Sequence, residues 1–162
     1  MRVLFALFLL FVISINAISQ KTDFRKNAIS IEAGFFHRGL IGISYARNFL
    51  KYDHTFITGS AFAGLGLYYK HYTGGGIDFN VGKNEVFFCI GADLKGIHLN
   101  DWEPVFGDGG PWQFAWEPHL GINVVTANGF AGKFLLGYMF AKEPDEGYLE
   151  FPTAGFSLGF AF

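Results

Sequence analysis

The sequence predicts an all-β protein, an eight-stranded antiparallel up-and-down transmembrane β-barrel preceded by a cleaved signal peptide. Three observations carry the prediction. Bulky apolar residues alternate with small or polar ones at a period of two through most of the chain. The alternating segments are ten to fourteen residues long, whereas soluble strands peak at about 5 to 6 residues and tilted membrane-spanning strands need about 9 to 11. The connections between segments differ in length on the two sides, as in barrels with short inner turns and longer outer loops.

Composition narrows the field in the same direction. A chain of 162 residues suits one domain, and 51% hydrophobic against 16% charged residues excludes intrinsic disorder. Aromatic residues make up 19% and glycine contributes 22 positions, a mixture seldom used to fill a soluble core. A net charge of -2 supplies no basic field, so no nucleic-acid partner is expected. Cys89 is the single cysteine, which rules out an intramolecular disulfide.

Before the first strand, Met1 and Arg2 precede an apolar run over 3–13, too short to span a bilayer, and Ala17 and Ser19 stand before Gln20. Residues 1–19 therefore read as an export signal and 20–162 as the mature barrel. No cysteine near that junction offers a lipoprotein acylation site. Beyond it, the charge-free stretch 54–69 is broken by glycine, serine and threonine and has no 3.6-residue stripe, so spanning helices are not expected.

The segments then follow in order. The first, 27–37, places Ser30 and Glu32 on the face opposite its isoleucines, and the second, 39–49, does the same with Ser44 and Asn48. A third covers 55–68; the fourth, 73–82, carries Asp78 and Asn80, and the fifth, 85–97, Asp93 and Lys95. In the sixth, 112–125, Phe114, Trp116, Leu120 and Ile122 alternate with Gln113, Glu117, His119 and Asn123. The seventh, 129–141, carries Lys133; in the eighth, 150–162, Phe156, Leu158, Phe160 and Phe162 alternate with Gly155, Ser157, Gly159 and Ala161.

Connections at 83–84 and 126–129 are tight and fall on one side; 69–72, 98–111 and 142–149 fall on the other. Two joints fit less well, 37–38 being short for an outer loop and 50–54 long for an inner turn. A two-residue Lys83-Asn84 turn would pair Val81 with Val86, both outward. A 126–129 turn that pairs Val124 with Phe130 sets Lys133 opposite Gly121, within reach of Glu117 or another inward carboxylate.

On these residues the chain resembles the small eight-stranded outer-membrane β-barrels of Gram-negative envelopes, of the outer membrane protein A and X type. The most specific element is the final strand, Gly159-Phe160-Ala161-Phe162. The resemblance implies that Phe160 and Phe162 form the signal read by the barrel assembly machinery. It also implies an outer-membrane location, contact with outer-membrane lipid and lipopolysaccharide, and a monomer. No cofactor is implied.

If the apolar face meets lipid, the interior receives Glu32, Asp78, Asp93, Lys95, Glu117, His119 and Lys133, with Ser30, Ser44, Asn48, Asn80, Asn123 and Ser157. An eight-stranded barrel is filled by its own side chains, so these charges must pair across the interior. An internal polar network is the leading reading, and a catalytic site or a narrow ion path are the others. The catalytic candidates are Glu117, His119 and Asp93, yet Glu117 and His119 lie about 7 Å apart at about 3.4 Å per residue. Gly155 to Gly159 matches G-x-S-x-G, but that motif requires a strand-to-helix turn and a downstream histidine.

His37, His54, His71, His98 and His119 are scattered without a spaced pair, so no metal site is expected. Acidic residues of the outer loops, such as Asp101 and Glu143, read as solvated. Trp102, Trp112, Trp116, Tyr68, Tyr69, Tyr72, Tyr138 and Tyr148 suit an interfacial aromatic girdle. Function therefore reads as a non-enzymatic outer-membrane barrel. A barrel enzyme modifying lipid A or phospholipid and a soluble barrel binding a small apolar ligand are the alternatives.

Overall fold

The computed structural model describes residues 25–34, 40–65, 69–99, 112–143 and 147–162. The expected signal peptide and most of the long 98–111 connection lie outside them. Every element among the described residues is a strand: β1 (Asn27–Gly34), β2 (Leu40–Tyr52), β3 (Thr55–Leu65), β4 (Tyr69–Lys83), β5 (Val86–Leu99), β6 (Gln113–Val125), β7 (Phe130–Glu143) and β8 (Gly147–Ala161). Each pairs antiparallel with the next, and β8 returns to β1 through Ala28↔Ala161 to Gly34↔Gly155. Closure leaves no strand edge open.

The period of two decides which way each side chain points. Ile31, Ile43, Leu65, Ile77, Ile90, Leu120, Leu136 and Leu158, one from each strand, all face outward and are exposed. Lys51, Lys83 and Glu150 also stand exposed, at or near strand ends, and Arg47 is exposed along β2, opposite Asn27 at the start of β1, with its guanidinium 5.9 Å from the Phe49 ring centroid. The inward face is polar at mid-height, and apolar clusters pack toward both ends. Phe56 and Phe87 meet edge-to-face at 4.8 Å toward the turn end. Ile97, Ala115, Met139 and Ala141, with Phe151 against them, fill part of the loop end.

β2, β4, β5, β7 and β8 run longer than the sequence pattern suggests, one turn is tighter and two hairpins differ in register. The 50–54 joint is a two-residue turn at Asp53-His54, because β2 continues through an irregularity between Phe49 and Tyr52, with Leu50 at φ 40° and Asp53 at φ 45°. The hairpin expected at Lys83-Asn84 turns instead at Asn84-Glu85, pairing Lys83 with Val86 and Val81 with Phe88. Asn84 supplies the positive φ, 62°, that the turn needs. In the 126–129 turn the register likewise differs by two residues, so that Lys133 faces Asn123 rather than Gly121. Both shifts keep the inward and outward sets unchanged. Residues 69–72 and 142–143 are strand rather than loop, which leaves 66–68 and 144–146 as the connections, outside the described residues.

At the turn end, the segment before β1 locks the ring. Arg25 donates from its guanidinium to the carbonyls of Ala161, at 2.9 Å, and Ala127, at 2.7 Å. Asn27 and Phe162 exchange backbone hydrogen bonds of 3.0 and 2.8 Å beside it.

Candidate functional site

The charged residues expected inside the barrel all lie on inward positions, and all but Glu32 belong to β4 through β7. On β8, β1, β2 and β3 the inward positions carry mostly small residues, among them Ala28, Ser30, Gly42, Ser44, Ala46, Ser60, Gly64, Ser157 and Gly159. Charge and bulk on one half of the wall thus face space on the other.

Asp78 is the centre of the network. It is buried; its Oδ2 accepts from Lys133 Nζ at 2.6 Å and its Oδ1 lies 2.6 Å from His119 Nε2. A carboxylate only accepts, so Nε2 carries the proton of that hydrogen bond. His119 Nδ1 points toward Asp93 Oδ2 at 3.8 Å and has no hydrogen-bond partner of its own. Two carboxylates therefore flank one imidazole, and only one of them is bonded to it.

The missing side chain at Gly91 makes the Asp78–His119 contact possible. Asp78, Gly91 and His119 are opposite one another across β4, β5 and β6. A Cβ on Gly91 would fall against Asp78 Oδ1, His119 Nε2 and the Ile77 carbonyl. The same device recurs one pair further on. Glu117 on β6 reaches Thr153 on β8 over Gly137 of β7, where a Cβ would meet both the threonine hydroxyl and the glutamate carboxylate. Thr153 donates to Glu117 Oε1 at 2.8 Å, and Lys95 Nζ donates to Oε2 at 2.5 Å. The Lys95 ammonium also sits 5.8 Å from the Phe62 ring centroid.

Below the ion pairs runs a directed chain of uncharged hydrogen bonds. Asn123 donates to Asn80 at 3.1 Å, Asn80 to Thr58 at 3.0 Å, Thr58 to Asn48 at 2.7 Å, and Asn48 to the Arg25 carbonyl at 2.8 Å. Asn80 is fully buried, so its bonds with Asn123 and Thr58 satisfy polar atoms that solvent does not reach.

Glu32 stands apart from the pairs. It lies between Ser157 and Gly42 on the roomy side and makes no ion pair among the described residues. Two cavities, one toward the loops and one toward the turns, share Glu32, Phe62, Asp93, Lys133, Leu135 and Ser157 in their walls. Tyr72, expected in the outer girdle, is instead buried inside, its ring lying over Gly64 and Gly42.

The structure thus separates residues that the sequence placed together. Lys133 pairs with Asp78, one of the other inward carboxylates within its expected reach, while Glu117 takes Lys95. The space at Gly121 is filled by the Phe134 carbonyl and Leu135 rather than left for a lysine. Glu117 and His119 have different partners, and among the described residues no hydroxyl or thiol hydrogen bonds His119, so a charge-paired imidazole is present without a nucleophile. The sequence pattern does not single out Thr153, Thr58 or Tyr72 as inward groups. The parity of β8 points to Thr153, two positions from Gly155. Glu85, buried at a turn with Oε1 accepting from the Ala127 amide at 2.8 Å, has no comparable signal.

No protein-family model matches the chain, and no curated protein matches it. Among solved structures, the N-terminal β-barrel domain of Pseudomonas aeruginosa OprF aligns over 85% of this chain and 98% of its own, at 15% identity and a TM-score of 0.61. The Yersinia pestis outer membrane protein Ail, in a phospholipid bilayer nanodisc, aligns over 86% of this chain and 100% of its own, at 12% identity and a TM-score of 0.49. At 15% identity what the OprF domain shares with this chain is the fold. The chain has the fold of the small eight-stranded outer-membrane barrels.

Proposed function

We propose that this chain is a non-enzymatic integral barrel of a Gram-negative outer membrane, exported by a signal peptide over residues 1–19 that is removed before Gln20. The observation that carries the reading is the outward wall. All eight strands contribute exposed large apolar residues to it, with Ile31 at 64%, Ile77 at 65% and Phe114 at 78% exposure, while the buried charges are turned inside. Soluble monomers rarely expose contiguous apolar patches beyond a few hundred Å². Lipid makes the same wall favourable. The alternative of a soluble carrier requires the reverse distribution, an apolar interior and a polar wall, and nothing in the inward set of Asp78, Asp93, Glu117 and Lys133 supports it.

The lipid-modifying enzyme is not supported either, because among the described residues no hydroxyl or thiol hydrogen bonds the His119 imidazole. The ion pairs serve instead to fill and fix the interior, and the outer connections meet the surroundings. Phe160 and Phe162, both outward, are the residues we assign to recognition by the barrel assembly machinery, and lipopolysaccharide is the expected lipid partner of the wall.

Expression in a Gram-negative host tests the reading. The mature protein should fractionate with the outer membrane, begin at Gln20, and migrate differently in detergent gels before and after boiling. Lipid A from expressing and control cells should give identical mass spectra. Release of folded protein into the aqueous phase of a detergent partition contradicts membrane insertion; a new lipid A species contradicts the non-enzymatic role alone.

A further inference from the structure

The charged side chains inside the barrel are incompletely paired. Lys133 serves Asp78 and Lys95 serves Glu117. Asp93 on β5 and Glu32 on β1 have no ammonium partner among the described residues. A carboxylate withdrawn from water is costly unless a positive charge and hydrogen-bond donors compensate it.

Asp93 is mostly buried, with 14% of its side chain exposed, and it makes no hydrogen bond among the described residues. One of its oxygens stands over Gly76 of β4, where a Cβ would collide with it. The other faces His119 Nδ1 at 3.8 Å, too far for a hydrogen bond. That nitrogen is buried and has no partner. Because Nε2 carries the proton bonded to Asp78, Nδ1 of the neutral ring offers a lone pair. Two acceptors thus converge on one spot that holds no donor.

Asp93 and Glu32 also share a cavity of about 100 Å³ on the loop side, with Phe62, Tyr72 and Ser157 in its wall. The Tyr72 hydroxyl lies over Gly42, the partner of Glu32 on β2. An ammonium group suits this setting. It brings a positive charge, several donors and no acceptor, and aromatic faces attract it. Water brings no charge, and no group of three histidine, cysteine or carboxylate side chains among the described residues can hold a metal ion. The volume admits a short alkylammonium and not a lipid.

We propose that the cavity walled by Asp93 and Glu32 is a binding site for a small primary ammonium compound. Its N–H groups bond Asp93 and His119 Nδ1, and Glu32 supplies a second negative charge from the opposite side of the ring.

The test titrates ethylammonium chloride into the folded protein in detergent, at an ionic strength held constant with sodium chloride, and follows the backbone amides by NMR. Wild type is compared with Asp93→Asn, Glu32→Gln and, as control, Glu150→Gln on the exposed outer face. Heat-modifiable gel mobility shows that each variant is folded. Wild type should bind one ethylammonium per chain, with the largest shifts at Gly91, Asp93 and His119. Affinity should fall at least about tenfold in Asp93→Asn, the factor carried by one charge-assisted hydrogen bond. It should fall also in Glu32→Gln and hold in Glu150→Gln. Tetramethylammonium, equal in charge but without N–H groups, should not bind. Ethylammonium should raise the unfolding temperature of wild type and not of Asp93→Asn, because a ligand bound only to the folded state stabilises it. A wild type without saturable response, equal affinity in wild type and either interior variant, or an equal response to tetramethylammonium overturns the proposal.

Discussion

Asp78 and His119 stand two strands apart, and their side chains meet at 2.6 Å over Gly91, which lies between them on β5. The glycine is there because nothing larger fits under the hydrogen bond. Gly91→Ala should therefore break the contact and leave buried polar atoms unpaired, a loss of about 1–3 kcal/mol or more. Gly155→Ala is the comparison: its added carbon would meet only the Ala33 carbonyl at 3.7 Å, and alanine is favoured over glycine within a strand by about 0.5–1 kcal/mol. Urea unfolding in detergent should rank Gly91→Ala far below wild type and Gly155→Ala at or above it.

Lys133 and Asp78 make the second measurable claim. Removing one partner of a buried pair costs about 3 to 5 kcal/mol, and Asp78 has almost no access to water with which to recover. Lys133→Ala should lower the unfolding midpoint strongly, whereas Lys83→Ala, exposed beside a turn, should leave it within about 0.5 kcal/mol of wild type. Equal midpoints for the two variants would remove Asp78–Lys133 from the account of stability.

The faces of the barrel were legible in the sequence, and the partners were not, for one reason. Moving a tight turn by a single residue changes the pairing across it by two, and a shift of two returns every side chain to its own face. The apolar pattern around Val81, Val86 and Phe88 is therefore equally satisfied by a turn at Lys83-Asn84 or at Asn84-Glu85. The local preference of asparagine for positive φ was the available signal, and it favours the latter. The same ambiguity moved Lys133 from Gly121 to Asn123. Its true partner, Asp78, comes from β4, and only the assembled ring brings β4 and β7 together. His71 and His98 read as scattered because the ladder, not local spacing, makes them neighbours across β4 and β5.

Asn84 tests the turn itself. It holds φ at 62°, while Glu85 after it is not in the left-handed region. Asn84→Gly should be neutral to stabilising, and Asn84→Val should cost about 1 kcal/mol or more, because a β-branched residue at positive φ is strained. Thermal shifts of the two variants in detergent, read by the loss of heat-modifiable mobility, should move in opposite directions or differ by several degrees. A valine variant as stable as wild type would place the turn elsewhere.

The central claim is that the bulky apolar wall faces lipid while the charged network faces inward. Spin labels attached to single cysteines, on a Cys89→Ser background, measure this directly in lipid bilayers. Labels at positions 31, 77, 120 and 136 should collide readily with oxygen, which partitions into lipid, and little with a water-soluble nickel chelate. Labels replacing Ser44 and Ser157 should lack that lipid signature. Preferential collision with the nickel chelate at positions 77 and 120 in folded protein would contradict the account, since the wall would then face water.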